Sequence, residues 1–215
     1  MKPLLSLLTF TLTALPPLTL AADNDENPSE SQPAHVRPKG RQGTLEAGVV
    51  APDFMLQDLE GKKTVKLSDL QGKPVVLIFG SCTCPPFVAS TRVTDRLYAA
   101  YKDRVHFLLV YIREAHPTDG RVKAGNQFVV KSPKTTEERR AIAQDFAKRL
   151  NVSIPILVDT LEDRVEQTYA CWPNRMYILD AHGKIADKGM AGPDGTITSA
   201  RRAPDVLDRL LQGQR

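Results

Sequence analysis

The chain has few cysteines and no dense cluster of one charge, and these shortages exclude several classes of protein. Three cysteines in 215 residues are too few for a small disulfide-scaffold protein, and 16 prolines with 13 glycines fit no collagen-like repeat. A net charge of +4 is mild, whereas nucleic-acid-binding proteins usually carry a stronger, clustered positive charge, so we expect no nucleic-acid partner. What the chain does have is 41% hydrophobic residues, enough for the core of an ordinary globular protein.

The N-terminus has the pattern of a secretory signal peptide. Lys2 precedes an apolar stretch from Leu4 to Leu20, and the small residues Ala21 and Ala22 follow. The stretch is short for a membrane-spanning helix and contains two prolines. We therefore predict a signal peptide over residues 1–22 and a secreted or periplasmic protein. An uncleaved membrane anchor is the alternative.

A change in composition separates this segment from a single domain. Residues 23–44 are polar, contain three prolines and have few bulky apolar side chains, which predicts a flexible linker. Regular apolar patterning begins at Leu45 and continues to the C-terminus without a second linker. We therefore predict one domain over residues 45–215.

Strand and helix patterns alternate along this domain. We predict an N-terminal hairpin, then buried strands and amphipathic helices, and a late hairpin followed by a last helix. This order indicates an α/β fold in which a mixed sheet is covered by helices on both faces. The predicted strands are 54–56, 65–67, 74–79, 106–111, 156–159, 175–179 and 185–188, and the predicted helices are one from Pro85 through Tyr101, then 136–150, 162–169 and 204–212.

Two cysteines lie in the predicted turn between a buried strand and a helix, in the sequence Gly80-Ser81-Cys82-Thr83-Cys84-Pro85-Pro86. A helix N-terminus favours the thiolate over the thiol, so this position suits a nucleophile. We predict that Cys84, next to the helix, is the attacking residue and that Cys82 closes a strained, resolving disulfide. Structurally inert cysteines are the alternative, and a zinc site would need further ligands that the sequence does not place nearby.

The third cysteine, Cys171, precedes the late hairpin and is expected to be buried or idle, although other pairings among three cysteines remain open. The Trp172-Pro173 bond that follows is a candidate for a cis peptide.

A second polar motif follows the next buried strand, at the sheet edge where the cysteine turn also lies. Glu114 and His116 are two residues apart on an extended segment, so we expect both to point the same way and to face Cys84. The histidine could then protonate a substrate, and the carboxylate could fix its tautomer. A solvent-exposed loop pair is the alternative.

Positive charge is concentrated after this motif, because residues 121–149 contain eight basic and three acidic side chains. These residues could attract a carboxylate-bearing substrate, but we favour a solvated helix face.

Several of these residues together resemble the iodothyronine deiodinases, within the thioredoxin-like superfamily. The opening Ala51-Pro52-Asp53-Phe54 is typical of the superfamily, while two blocks are specific to the deiodinases: Phe79-Gly80-Ser81-Cys82-Thr83-Cys84-Pro85-Pro86-Phe87 and Tyr111-Ile112-Arg113-Glu114-Ala115-His116-Pro117-Thr118-Asp119-Gly120. The resemblance covers roughly residues 48–193.

The resemblance implies a thioredoxin-like fold with a deiodinase-type insertion at about 117–135. It places Cys84 where the animal enzymes have the selenocysteine that attacks iodine, Cys82 as a recycling thiol, and Glu114 with His116 as a proton-handling pair. It further implies a small aromatic substrate, an external thiol reductant or thioredoxin-like donor and no bound cofactor, and it leaves a homodimer open.

The chain also departs from the family pattern. Cysteine replaces selenocysteine at Cys84, Ser132 stands near the position of the family's second histidine, and Ile154 stands near that of a further cysteine. A thiol peroxidase or thiol-disulfide oxidoreductase is therefore one alternative, although the chain lacks a Cys-x-x-Cys motif and the Pro-x-x-x-Thr/Ser-x-x-Cys run of peroxide-reducing relatives. A non-catalytic module that binds an anionic ligand is another.

Overall fold

The computed structural model describes residues 43–121, 123–193 and 195–213. The predicted signal peptide and residues 23–42 of the predicted linker lie outside the described residues. Within the described part of the chain, no helix is both long and apolar enough to cross a membrane.

Among the described residues, seven strands and four α-helices follow the predicted order. The strands are β1 Met55–Asp58, β2 Thr64–Lys66, β3 Val75–Gly80, β4 His106–Tyr111, β5 Ile156–Val158, β6 Arg175–Leu179 and β7 Ile185–Lys188. The helices are α1 Pro85–Tyr101, α2 Thr136–Leu150, α3 Arg164–Tyr169 and α4 Gly195–Gln212, and a short 3-10 helix, Leu67–Leu70, follows β2. The bounds of β4, α2, β6 and β7 are those predicted, and the other strands differ from the prediction by one or two residues at an end.

The predicted start of the last helix is wrong. Helix α4 begins at Gly195 rather than at Pro204, which lies inside the helix. The segment before Pro204 contains glycine, threonine and serine, which are poor helix formers, so the local pattern favoured the later start. The first turn is stabilised from outside the helix, since Asn174 Oδ1 accepts hydrogen bonds from the backbone N–H and the hydroxyl of Thr196 at 3.2 and 2.7 Å.

All seven strands form one mixed sheet in the order β2-β1-β5-β4-β3-β6-β7. The central strands β3, β4 and β5 are parallel, whereas the β1–β2 hairpin and the β6–β7 hairpin extend the sheet with antiparallel pairs. Because β3 and β4 are parallel and paired along their whole length, both end at the same edge, where the cysteine turn and the Glu114 segment follow.

The core has two layers, one on each face of the sheet. Alternate residues of β3 divide between them, with Val76 and Ile78 facing α1, α2 and α4, and Leu77 and Phe79 facing α3 and the N-terminal segment. This alternation is the period-2 pattern of a strand that is buried on both faces. Helices therefore cover both faces, as predicted, with three on one face and a single short helix on the other.

Gly80 ends β3 because the first turn of α1 packs directly against it. A Cβ atom at this position would lie 2.3 Å from the ring of Phe87, closer than atoms pack. Phe87 in turn stacks on Phe146 of α2, with ring centroids 5.6 Å apart. The glycine thus brings the start of α1, and the cysteine turn before it, close to the end of the strand.

The segment that the family resemblance identifies as an insertion has no helix or strand among its described residues. It is nevertheless tied to the domain. Thr118 N donates to Val130 O at 2.8 Å, Asp119 accepts from Ser132 N at 2.8 Å, and Phe128 is buried against Phe146. These contacts hold the insertion beside the cysteine turn.

Candidate active site

The cysteine turn places Cys84 at the N-terminus of α1. Cys84 caps the helix with an extended backbone, Pro85 and Pro86 occupy the first helical positions, and Val88 N donates to Cys84 O at 3.0 Å. Proline is favoured at these positions because its missing N–H would have no partner there. The sequence prediction of a strand–turn–helix around the cysteines is therefore confirmed.

The Cys84 thiol lies at a cavity of about 500 Å³. Asn174 Nδ2 donates a hydrogen bond to Cys84 Sγ at 3.3 Å, and only 2% of the cysteine is exposed. The cavity is lined by Cys84, Pro86, His116, Arg121, Lys123, Ala124, Pro173, Asn174 and Pro193. Three of these side chains can carry positive charge and none is acidic, so the cavity is suited to a ligand with an anionic group.

The sequence analysis expected the environment of Cys84 to favour the thiolate, and in the structure it does not. Burial raises the pKa of the Cys84 thiol above its ordinary value. The Phe87 N–H, the Asn174 amide and the Lys123 ammonium act in the opposite direction without cancelling that effect. The helix N-terminus was the correct local feature, but the cost of burying a charge could not be read from the sequence.

Cys82 lies in a different polar environment, built around the Glu114 carboxylate. Tyr111 OH donates to Glu114 Oε1 at 2.6 Å, while the Thr83 hydroxyl and the Thr83 N–H donate to Oε2. Cys82 Sγ is 3.7 Å from the same Oε2, and Cys82 N donates to Tyr111 OH at 3.1 Å. Burial and the Glu114 carboxylate together raise the pKa of the Cys82 thiol well above its ordinary value.

Glu114 and His116 do not point the same way. Glu114 is buried, with 8% of its surface exposed, whereas His116 lines the Cys84 cavity and its Nδ1 is 3.0 Å from the Arg121 carbonyl oxygen. Tyr111 and Thr83 hold the carboxylate inward, so it contacts Cys82 rather than the histidine ring. Of the predicted pair, only His116 faces Cys84.

Cys171 is separated from the other two thiols by the sheet. It is 0% exposed and belongs to the core layer that faces α3, whereas Cys82 and Cys84 belong to the opposite layer. All three cysteines are free thiols. The prediction that Cys171 is buried is confirmed, and the Trp172-Pro173 bond is cis, as the sequence had suggested for testing.

The basic segment serves two purposes. Arg121 and Lys123 line the Cys84 cavity, but Arg139 is buried and bonded to Asp163 at 2.8 Å and to the Thr160 carbonyl at 2.5 Å. The expected solvated helix face therefore describes only some of the basic residues in this segment. Among the described residues, no group of three or more His, Cys, Asp or Glu side chains could hold a metal ion.

The structure also contains a larger cavity, of about 640 Å³, away from the thiols. It lies between the β1–β2 hairpin and the starts of β4 and β5, and its lining includes His106 but no cysteine. Size alone does not identify it as the reaction site, because the nucleophilic side chains are elsewhere.

Three site residues were not singled out from the sequence. Asn174 contacts Cys84, while Thr83 and Tyr111 hold Glu114. Thr83 and Tyr111 belong to the motifs that carry the family resemblance, so their positions could have been noted. Asn174 directly follows the candidate cis-proline, but nothing in the local pattern points to a contact 90 residues back in the chain.

Comparison with known proteins decides the family. A family model described as iodothyronine deiodinase matches residues 36–210. The chain belongs to this family. It is 35% identical to the thyroxine 5-deiodinase of Gallus gallus over 157 residues, which cover 72% of this chain and 60% of that enzyme. It is 31% identical to the Homo sapiens thyroxine 5-deiodinase over 222 residues, covering 93% of this chain and 72% of that enzyme.

Solved structures confirm the thioredoxin-like fold that the sequence analysis expected. The thioredoxin domain of a thiol-disulfide oxidoreductase from Bacteroides vulgatus superposes with a TM-score of 0.52 at 21% identity, covering 74% of this chain and 98% of that domain. An uncharacterized conserved protein from Geobacillus kaustophilus superposes with a TM-score of 0.58 at 22% identity, covering 79% and 84% of the two chains. Together with the deiodinase family match, the fold identifies a thiol-dependent oxidoreductase.

Proposed function

We propose that this protein reductively removes iodine from iodinated phenols, with Cys84 as the nucleophile. The observation that carries the proposal is the Cys84 cavity. A thiol that accepts a hydrogen bond from Asn174 lines the same cavity as the His116 imidazole, in a chain of the deiodinase family. A hydrogen-bond donor and a proton-carrying side chain at one thiol are what a nucleophilic step requires.

The proposed reaction has three steps. The Cys84 thiolate attacks iodine, an S–I bond forms, and the electron pair of the broken C–I bond goes to the ring carbon, which takes a proton from His116. The Cys82 thiol then attacks Cys84 sulfur, so that iodide leaves and a Cys82–Cys84 disulfide forms with release of a proton. Two thiol groups of an external donor reduce this disulfide, and no bound cofactor is needed to supply the electrons.

The lining of the cavity favours an aromatic substrate with an anionic group. Pro86, Pro173 and Pro193 provide apolar surface, and Arg121 and Lys123 provide positive charge. The matched relatives are named thyroxine 5-deiodinases, and iodothyronines combine an iodinated phenol with a carboxylate, so we propose this class as substrate. We also propose that residues 1–22 direct the domain out of the cytoplasm.

The test measures iodide release from iodothyronines by the purified full chain, with a dithiol as the electron donor. We expect Cys84→Ser to lose at least about 100-fold of the rate, because its hydroxyl is a far weaker nucleophile. Cys82→Ser should form up to one deiodinated product per chain and then release iodide only slowly, since the external dithiol must displace the iodide that Cys82 normally displaces.

Hydrogen peroxide consumption is measured in parallel with the same variants. Iodide release that survives Cys84→Ser would overturn the assignment of the nucleophile. Cys84-dependent peroxide turnover without any iodide release would instead identify a thiol peroxidase, and activity in neither assay would favour an anion-binding module.

A further inference from the structure

The two thiols of the cysteine turn have opposite hydrogen-bonding environments. Cys84 Sγ accepts from an amide N–H of Asn174, whereas Cys82 Sγ lies 3.7 Å from a carboxylate oxygen of Glu114. A donor beside sulfur stabilises the thiolate, and an acceptor beside sulfur stabilises the thiol and receives its proton. The surroundings therefore stabilise opposite protonation states of the two thiols, although only one residue separates them in the sequence.

From this arrangement we infer that Glu114 is the general base for Cys82, taking the Cys82 proton as this thiol attacks Cys84 to form the disulfide. The inference rests on the proposed function for the order in which the two thiols act. It assigns Glu114 to the resolving step and leaves the proton that goes to the substrate with His116. In this step the Cys82 S–H bond breaks, the new S–S bond forms, the leaving group departs from Cys84 sulfur with its electron pair, and the proton goes to Glu114 Oε2.

The hydrogen bonds around Glu114 fix which proton can move. Thr83 Oγ1 accepts from the backbone N–H groups of Ala115 and His116 at 3.0 and 3.1 Å, so its own hydrogen is directed to Glu114. Tyr111 OH accepts from Cys82 N–H and likewise directs its hydrogen to Glu114. Only the thiol becomes a nucleophile in this step, and ordinary alcohols and phenols hold their protons more tightly than thiols do, so the Cys82 proton is the one transferred.

A separate cavity gives the proton a way out. Glu114 lies at a cavity of about 430 Å³ that is lined also by Arg113, Ser132, Pro133, Lys134, Arg139, Leu161 and Asp163, and that contains neither thiol. The substrate cavity at Cys84 has a different lining. The proton from Cys82 can therefore reach solvent while the substrate cavity is still occupied.

The charged groups that act on Cys82 are the Glu114 carboxylate and, more weakly, Asp145 of α2, while a hydrogen bond with the Tyr111 phenol acts in the opposite direction. Beyond Glu114, the groups at its cavity include the basic Arg113, Lys134 and Arg139 and the acidic Asp163. Burial, and after it the Glu114 and Asp145 carboxylates, raise the pKa of the Cys82 thiol, so without a base this thiol would attack slowly at neutral pH.

The experiment uses 2,2′-dithiodipyridine and the full chain, so it needs no halogenated substrate. Cys84 attacks the reagent and releases one pyridine-2-thione, and Cys82 then attacks the mixed disulfide and releases a second. Stopped-flow absorbance separates the two releases. We expect Glu114→Gln to slow the second release by about 100-fold at pH 7 while the first changes by less than about 3-fold, as loss of a general base predicts.

The pH dependence distinguishes a base from a structural contact. The second release in the unmodified chain should change little between pH 6 and about 8, whereas in Glu114→Gln it should rise about tenfold per pH unit, because the thiolate must then form before it attacks. Asp145→Asn is the matched control, since it removes the other negative charge that acts on Cys82 but keeps the Glu114 carboxylate in place, and it should keep the shallow profile.

Several results would overturn the inference. One is an unchanged second release in Glu114→Gln, and another is an equal slowing of both releases. If Glu114→Gln does not fold, a second release in the unmodified chain that rises about tenfold per pH unit from pH 6 would itself exclude a carboxylate base. Failure of the proposed function, in which Cys84 attacks first, would give a different result. Cys84→Ser would then still release the first thione at the rate of the unmodified chain, which would show that Cys82 rather than Cys84 attacks.

Discussion

Asn174 connects the reactive thiol to the last helix. Its amide nitrogen donates to Cys84 Sγ at 3.3 Å, and its amide oxygen accepts both hydrogen bonds from Thr196 at the start of α4. The side chain is 1% exposed, so water does not compete for either contact. One residue therefore holds the thiol and tunes its charge, and the two roles use different atoms.

Asn174→Asp should separate these roles. An aspartate can still accept from Thr196, but it replaces the N–H donor at Cys84 with a negatively charged oxygen, which disfavours the thiolate. The measurement is the rate of Cys84 alkylation by iodoacetamide against pH. Since burial already raises the Cys84 pKa, the alkylation rate of the unmodified chain should keep rising with pH up to at least about pH 9. At pH 7 the variant should be alkylated at least about tenfold more slowly than the unmodified chain.

Thr196→Val is the control for this prediction, because it removes one contact of Asn174 on the helix side and leaves the amide beside sulfur. Its alkylation profile should match that of the unmodified chain. An Asn174→Asp profile that coincides with the unmodified one would show that the amide does not tune Cys84.

Sequence reasoning singled out candidate reactive residues more readily than the residues that position them. Cys82, Cys84, Glu114 and His116 stand out because reactive side chains follow two neighbouring strands that end at one edge. The inward turn of Glu114 depends on Tyr111 and Thr83, and the raised pKa of Cys84 depends on burial. Both are consequences of packing, which residue spacing does not specify.

At the scale of elements, helix α4 contains a proline that local helix preferences oppose. Pro204 lies nine residues after the first residue of the helix, where proline removes a backbone donor and crowds the preceding turn. The helix forms in spite of this because its apolar side packs against the core through Ala200, Ala203 and Leu207. Tertiary contacts outweigh the local cost.

Pro204→Ala should therefore stabilise the protein. Restoring the N–H and removing the ring is worth up to about 3 kcal/mol in a helix interior, and we expect roughly 1–2 kcal/mol here, seen as a higher denaturant midpoint. Gly195→Ala is the contrasting variant, since its Cβ would lie 1.9 Å from the Met190 carbonyl oxygen, and it should lower the midpoint. A lower midpoint for Pro204→Ala would show that the ring contributes more by packing than it costs.

The central strands and the long helix α2 were predictable because their patterns are local. Residues 107–110 of β4 are apolar without interruption, and α2 has an N-terminal cap that its own sequence supplies, with Thr135 accepting from Glu138 N at 3.1 Å. The start of α4 has no such local signal. Its cap comes from Asn174, in a loop before β6, so it becomes visible only when the chain is folded.

At the scale of the whole molecule, the sheet divides the three thiols into two groups. Cys171 is completely buried on the α3 face, next to the Glu166 carbonyl at 3.5 Å, and burial raises its pKa well above the ordinary value. Reagents can reach it only when that core layer opens.

We therefore expect two thiols to react with 2,2′-dithiodipyridine in the native protein and the third only in denaturant. In the Cys82→Ser, Cys84→Ser double variant, Cys171 should react at the rate of opening of the core, and that rate should increase with guanidinium concentration. Rapid labelling of Cys171 in native buffer would contradict the buried position.

This separation also sets how many electrons the folded chain can hold. Only Cys82 and Cys84 share a core layer, so in the proposed mechanism the protein stores one electron pair and has no second dithiol to refill it. Each cycle must then be completed by an outside donor before the next begins. The pace at which such an enzyme works in its compartment would follow the supply of that donor, and in the absence of a donor the protein would act once and stop.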